Sequence, residues 1–147
     1  MKSNKEIFRI IIEDGFSEGD VSVIDQHAAK DFVEHQYGFN PPDASSVKAA
    51  ISDLHRAFPD FSMKIEDVVV YGDKVWGRMT AKGTQKAQFG PMPATGKKFE
   101  ICVIDIMRFK NGKLVEHWGV PDRLGLMEQL GMKAPPKVIM KLLSLSR

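Results

Sequence analysis

The sequence lacks the features that mark several large classes of protein. Cys102 is the only cysteine, so no internal disulfide can form, and a reducing, cytoplasmic location is expected. No apolar run approaches the roughly 20 residues of a membrane-spanning helix, and the N-terminus has no secretory signal pattern. The formal net charge is only +2, with basic residues scattered among acidic ones. Neither a membrane nor a nucleic acid is therefore an expected partner.

The sequence also lacks the spaced residues that hold metals, nucleotides or a reactive thiol. Its four histidines show neither HxH nor HExxH spacing, which argues against a metal site. Gly83, Gly90 and Gly96 match neither the dinucleotide-binding nor the P-loop pattern. No base is placed to activate Cys102. We therefore expect no metal and no cofactor.

What remains is the composition of one globular domain, with 43% apolar and 27% charged residues. Apolar residues at helical spacing predict three helices before residue 60, the second of which runs on to Phe32. Each helix begins near residues that can cap its N-terminus: Ser3 or Asn4, Asp20 or Ser22, and Ser45 or Ser46. From Phe61 onward the apolar period becomes two, which predicts four long strands.

This order of elements predicts an α+β fold, in which three N-terminal helices pack on one side of a curved, mainly antiparallel sheet. The resulting cone has an apolar interior, which is a natural pocket for a small molecule. We expect residues 1–135 to form one domain and residues 136–147 to form an amphipathic tail.

One carboxylate, Asp105, stands in the middle of an otherwise apolar strand face, and His117 lies on the strand that returns after a turn. If Asn111-Gly112 forms a two-residue type I′ turn, Asp105 faces Trp118. If the turn begins one residue earlier and the glycine is an αL bulge residue, Asp105 faces His117 directly. The apolar alternation favours the second register, which puts Asp105 and His117 on the same face.

Asp105 and His117 are therefore the candidate catalytic residues. Burial disfavours a charged carboxylate and a neighbouring imidazolium favours it, so such a pair could share a proton near neutral pH. The pair could then act as general base or acid on a carbonyl compound. A purely structural pair is the alternative, since structural pairs perturb pKa values as well.

Other residues are candidates for the wall of a ligand pocket. His35 and Tyr37 lie where the chain could bend over the mouth of the cone and hydrogen-bond a ligand oxygen, with a plain surface loop as the alternative. Four strand residues could line the pocket or belong to an ordinary core: Trp76, Met79, Met107 and Trp118. Asp122 is expected to cap the helix that begins at Arg123, with a role in the site as the alternative.

Three segments, PMPATGKKFE, DIMRFKNGKLVEHW and PDRLGLMEQLG, make the chain resemble the SnoaL-like polyketide cyclase family of the NTF2-like fold. The resemblance covers residues 1–135 and implies cofactor-free aldol closure of a polyketide ester. In the family's cyclases the acid/base is an aspartate two residues after the histidine of the last strand, and here that position is Gly119. The resemblance further implies that Asp105 stands where an assisting histidine would be, so that carboxylate and imidazole have exchanged strands.

Three functions follow from these observations. In the first, Asp105 and His117 move protons during aldol-type cyclisation or isomerisation of a small hydrophobic carbonyl or ester compound. In the second, which Gly119 motivates, the protein binds such a compound without transforming it. In the third it is an assembly module, because folds of this kind commonly dimerise through the open sheet face. We expect a homodimer or a higher homo-oligomer.

Overall fold

The protein contains a five-stranded sheet that supports its other elements. Its structure, a computed structural model, describes residues 1–132. The strands are β1 (Ala28–Glu34), β2 (Ser62–Tyr71), β3 (Lys74–Thr84), β4 (Lys98–Lys110) and β5 (Lys113–Pro121). They lie in the order β1-β5-β4-β3-β2. Neighbouring strands are antiparallel, except that β1 and β5 are parallel.

Helices cover the inner face of this sheet. Within residues 1–132 they are α1 (Asn4–Ile10), a π-helical segment (Ile11–Ser17), α2 (Ser22–His27), α3 (Ala44–Ala57) and α4 (Arg123–Gln129). Helix α1 begins with a reciprocal capping box between Ser3, one of the two predicted caps, and Glu6. Helix α4 ends in a Schellman motif, in which Gly131 has a φ of 95° and Met132 N–H donates to the Met127 carbonyl.

The core lies between the helices and the inner face of the sheet. Phe8 of α1 is fully buried against Gly77 of β3, where an added Cβ atom would lie 2.3 Å from Phe8 Cζ. Glycine at this position therefore lets the helix approach the sheet closely. Buried and more exposed residues alternate along β3 and β4, in agreement with the period of two in the sequence.

The second helix is shorter than predicted. It ends at His27, and residues 28–34 form β1 instead of continuing the helix to Phe32. The physical reason is that this segment gains backbone hydrogen bonds along β5 as an edge strand. Phe32 and Glu34 then alternate into the interior of the protein.

The third helix begins at a different cap from the two predicted. Asp43 is its N-cap, and the Asp43 carboxylate accepts hydrogen bonds from the backbone N–H groups of Ser45 and Ser46. A carboxylate there reaches two of the unbonded N–H groups of the first turn. The two serines therefore lie inside the first turn.

The turn between β4 and β5 is a two-residue type I′ turn, so the predicted turn with Gly112 as the bulge residue is wrong. Asn111 and Gly112 have φ values of 51° and 71°, and Lys110 pairs with Lys113. A bulge is nevertheless present, further along β5 at Val115, where the pairing shifts by one residue.

The position of this bulge changes the residue that faces Asp105. Asp105 lies opposite Gly119, and His117 is displaced by one pair along the same inner face. The expectation that Asp105 faces His117 directly is therefore wrong. Both side chains nevertheless point inward, because the bulge shifts the pairing of β5 with β4 by one residue and so turns His117 to the face that carries Asp105. Arg108 and Glu116 lie opposite each other and form an ion pair on the outer face.

The α+β class and the four long antiparallel strands are confirmed. The helix that begins at Arg123 is also confirmed, whereas the fifth strand, its parallel pairing and the π-helical segment were not predicted. The expected tail, residues 136–147, lies outside the described residues. Among the residues that the structure describes, no helix is long and apolar enough to cross a membrane.

Candidate active site

Asp105 stands in the middle of β4 with a glycine on either side. The pairing of β3, β4 and β5 places Gly77, Asp105 and Gly119 in one row across the sheet. Because neither glycine carries a side chain, the inner surface beside the carboxylate is open to groups from other elements. Phe8 occupies the space over Gly77, and the Gln36 side chain occupies the space over Gly119.

Three buried ionisable side chains, those of Glu34, His117 and Asp105, follow one another in this order beside the two glycines. His117 Nδ1 lies 2.7 Å from Glu34 Oε2, and His117 Nε2 lies 3.5 Å from Asp105 Oδ1. The exposed fractions of Glu34, Asp105 and His117 are 3%, 3% and 5%. The first contact is a hydrogen bond. The second is too long for one, so within residues 1–132 Asp105 Oδ1 and His117 Nε2 have no hydrogen-bond partner.

The two carboxylates decide the protonation state of His117. Burial lowers the pKa of the imidazole, but the negative charges of Asp105 and Glu34 outweigh this effect and raise the pKa to about 10. His117 is therefore an imidazolium at neutral pH, and the expected sharing of its proton near pH 7 is not what this geometry produces. An imidazolium has no nitrogen that can accept a proton. Within this cluster, the carboxylates are the groups that can accept a proton.

Asp105 and His117 line a cavity of about 630 Å³. The cavity has the size of a typical small-molecule pocket, for which volumes of about 300 to 1,000 Å³ are usual. Its walls come from the sheet, α3, α4 and the β3–β4 connection, and most of the lining is apolar, including Phe58, Phe61, Met63, Ile101, Val103 and Met127. An apolar cavity with charged groups at one point fits a hydrophobic molecule that has one polar, reactive group.

The Pro/Gly-rich connection between β3 and β4 forms one wall of the cavity. Phe89 and Met92 of this loop line the cavity and pair with each other through backbone hydrogen bonds. Gln85 anchors the loop from below, since its fully buried side chain accepts a hydrogen bond from Thr95 Oγ1 at 2.7 Å and donates to the Met92 carbonyl at 3.3 Å. The loop is therefore attached to the core at two places.

Several residues predicted for the pocket lie on the outer face of the sheet. The His35 ring stacks on Trp118, with centroids 4.6 Å apart, and His35 Nε2 lies 3.0 Å from Glu116 Oε1. Trp76 is 46% exposed on the same face. The structure thus places His35, Trp76 and Trp118 on the opposite side of the sheet from Asp105, because residues next to inward-facing ones point outward in a strand.

The other predicted pocket residues take different positions. Met79 and Met107 are buried in the core and lie outside the cavity lining. Tyr37 is 86% exposed at the rim, where the Arg123 guanidinium donates to its carbonyl group and lies 5.5 Å from the centroid of its ring. Asp122 caps α4 by accepting a hydrogen bond from Gly125 N–H at 2.8 Å, as expected.

Sequence reasoning missed two residues, Glu34 and Gln36. Glu34 contacts both His117 and the backbone of Gln36, whose N–H donates to Glu34 Oε1 at 2.8 Å. Alternation from buried Phe32 would have placed Glu34 on the inner face if the segment had been recognised as a strand. Nothing in the sequence indicates that Gln36 lies over Gly119.

No group of three or more His, Cys, Asp or Glu residues with the geometry of a metal site is present within residues 1–132.

The family model described as SnoaL-like polyketide cyclase matches residues 7–130. The chain belongs to the SnoaL-like polyketide cyclase family. Its similarity to solved structures of this family places it in the NTF2-like fold, as the resemblance in its sequence implies.

Members of the family from several bacteria resemble the chain over most of its length. It is 30% identical to aklanonic acid methyl ester cyclase DnrD of Streptomyces peucetius over 105 residues, which is 70% of each protein. TsrD from Streptomyces laurentii superposes with a TM-score of 0.79 at 28% identity, over 89% of this chain and 98% of that one. IdmH from Streptomyces antibioticus, provisionally assigned as a polyketide cyclase, has a TM-score of 0.77 at 26% identity, over 89% and 100%.

Proposed function

We propose that this family member binds a small hydrophobic carbonyl or ester compound and moves a proton next to its carbonyl group, without a cofactor. The observation that carries the proposal is the position of Asp105, a nearly buried carboxylate without a hydrogen bond among the described residues, in the lining of an apolar cavity. Such a carboxylate is a general base, and the surrounding apolar walls suit a hydrophobic substrate.

In the proposed reaction, an Asp105 oxygen takes a proton from the carbon next to the carbonyl group. The electron pair of the broken C–H bond forms a C=C bond, and the π pair of the carbonyl moves to its oxygen to give an enolate. In an aldol-type closure the C=C pair of the enolate forms a bond to a second carbonyl carbon of the same molecule and the first carbonyl re-forms. The π pair of the second carbonyl moves to its oxygen, which takes back the proton that Asp105 had removed. In an isomerisation the proton returns to a different atom of the enolate system.

His117 and Glu34 are positioning residues in this mechanism. The imidazolium lies 3.5 Å from Asp105 Oδ1, and its positive charge offsets the cost of burying a carboxylate. Glu34, 2.7 Å from the other ring nitrogen, fixes the orientation of the ring. The contact between His117 and Glu34 follows the general rule that a buried charge is paired and hydrogen-bonded.

Exchange of α-protons for deuterium tests the proposal without knowledge of the natural substrate. We expect the protein in D₂O to accelerate exchange into 2-tetralone, a bicyclic ketone that fits an apolar cavity, above the buffer rate. Asp105→Asn should remove about 100-fold or more of the acceleration, since general-base catalysis contributes on this scale. Asp25→Asn is the matched control, because Asp25 lies on the surface and pairs with Lys48. Acceleration that survives Asp105→Asn would contradict the proposal.

Gly119 supports a second candidate, a protein that binds the ligand without transforming it. The resemblance to the family's cyclases implies an aspartate at this position, and glycine can neither take nor give a proton. The same assay separates the two functions. A protein that only binds would give a saturation-transfer NMR signal for bound 2-tetralone, while the α-protons of 2-tetralone exchange at the buffer rate. An enzyme would show both binding and accelerated exchange.

We also propose that the protein forms a homodimer through the outer face of the sheet. The pairing of the strands aligns Val69, Trp76, Ile106 and Trp118 in one apolar row, and Ile104, 46% exposed, lies in the next row. Exposed apolar patches of this kind mark interaction sites. Light scattering after size exclusion should give a smaller particle for Ile104→Lys than for the wild type. Ser52→Lys, on the exposed side of α3, is the control and should leave the size unchanged.

A further inference from the structure

The proposed reaction develops negative charge on a carbonyl oxygen, and such a charge needs a hydrogen-bond donor near Asp105. His117 Nδ1 is bonded to Glu34 at 2.7 Å and its Nε2 faces Asp105 at 3.5 Å, so both N–H groups are directed at carboxylates rather than at a ligand oxygen. His35 lies on the outer face, and Tyr37 is 86% exposed at the rim. The donors that the sequence suggests for this role are therefore elsewhere.

Gln36, which lies between these two residues in the chain, points into the cavity instead. A Cβ atom built on Gly119 would lie 1.9 Å from Gln36 Oε1 and 3.0 Å from Asp105 Oδ1, so both oxygens border the same point. Oε1 is the carboxamide atom in contact with Gly119, and the amide nitrogen is the more distant one. Within residues 1–132, the carboxamide makes no hydrogen bond, while the backbone N–H of Gln36 donates to Glu34 Oε1 at 2.8 Å.

We propose that the Gln36 carboxamide is the hydrogen-bond donor for the ligand's oxygen, and that Gly119 is small so that this side chain can lie beside Asp105. The inference rests on the proposed function and deepens it. The ligand would be an enolisable ketone or ester whose oxygen accepts from Gln36 Nε2 while its acidic hydrogen faces Asp105. The carboxamide stabilises the enolate oxygen without protonating it, because an amide N–H is not an acid in this pH range.

A phenol resembles the enol form of such a ligand, since its hydroxyl group both donates and accepts a hydrogen bond. The test therefore compares 2-naphthol with naphthalene, which has the same rings without the oxygen, by fluorescence titration of each into the protein. Gln36→Leu keeps the bulk of the side chain and removes the donor. We expect it to weaken 2-naphthol about fivefold, corresponding to about 1 kcal/mol, and to leave naphthalene within twofold.

Two further variants make the test specific to the carboxamide. Gly119→Ala displaces Gln36, because the added methyl group would occupy the place of Oε1, and it should reproduce the selective loss of 2-naphthol. Gln26→Leu, the same substitution on the surface of α2, should change neither affinity. With 2-tetralone, Gln36→Leu should lower the exchange rate at saturation more than it weakens binding, because the charge on the oxygen develops only in the enolate.

Failure of this inference can be distinguished from failure of the proposed function. If Asp105→Asn selectively weakens 2-naphthol but Gln36→Leu affects the two probes equally or not at all, the role of Gln36 is wrong and the function stands. If neither variant discriminates between the probes, or if the wild type does not bind 2-naphthol, both are wrong.

Discussion

The proton on His117 makes the stability of the protein depend on pH, and this is the most direct check of the buried cluster. The pKa of the imidazole rises from an ordinary value of 6.5 to about 10 on folding. The folded state therefore binds one more proton than the unfolded state between these two pH values. The stabilisation is fully present below pH 6.5 and is lost as the pH rises through about 10.

The size of the effect follows from this shift. In that window each pH unit lowers the free energy of unfolding by up to about 1.4 kcal/mol, and the loss between pH 7 and pH 9 is roughly 2 to 3 kcal/mol. A change of this size is a substantial part of a typical domain stability of about 5 to 15 kcal/mol. It should be visible as a shift in the midpoint of urea unfolding, followed by tryptophan fluorescence at several pH values.

Matched variants isolate the contribution of His117. His117→Gln removes the titrating group and should flatten the difference between pH 7 and pH 9. His55→Gln replaces an imidazole that contacts the Phe16 carbonyl and, within residues 1–132, no carboxylate, so it should keep the wild-type slope. The imidazole signals of His117 in NMR should remain those of the protonated ring at pH 8. Parallel pH profiles for wild type and His117→Gln, or a His117 titration near pH 6.5, would refute this account.

Three further predictions concern other parts of the fold. Glu34→Gln should lower the pKa of His117 in an NMR titration and reduce stability by about 3 kcal/mol or more, because it breaks a buried charge pair. Gly77→Ala should cost about 1 to 3 kcal/mol in urea unfolding, since its methyl group would overlap the Phe8 ring, and an unchanged midpoint would contradict that packing. Asp43→Ala should cost about 1 kcal/mol through loss of the α3 cap, and Asp43→Ser should recover most of it.

The parts of the fold that the sequence predicts well are those with local signals. The capping box at Ser3 and Glu6 is a local pattern, and so is the alternation in β3 and β4. Strand β1 is different, because Val21, Ile24, Ala28 and Phe32 also fit helical spacing. Its strand conformation depends on pairing with β5, more than 80 residues later in the chain. No local pattern contains that information.

The register of β4 and β5 was harder to predict for a related reason. Asn111-Gly112 correctly predicts a tight turn. The bulge that determines which residues of β5 face inward lies at Val115, however, and no residue type there indicates a bulge. Sequence reasoning placed Asp105 and His117 on one face only because its bulge in the turn also shifted the pairing by one residue, in the direction opposite to that of the real bulge. The prediction that the two side chains share a face was correct, while the residue predicted to lie opposite Asp105 was two positions away from the actual one.

Position 119 illustrates how a site can differ from what its sequence pattern implies. Read along the strand, a glycine two residues after His117 is the loss of a functional group. In three dimensions the space beside Asp105 is filled from another element, because the Glu34 carboxylate holds the Gln36 backbone and the Gln36 side chain lies over the glycine. The same carboxylate binds His117, so one buried residue positions both the cation and the proposed donor. The chemistry of this site therefore depends on the edge strand β1, the one strand that local sequence patterns did not predict.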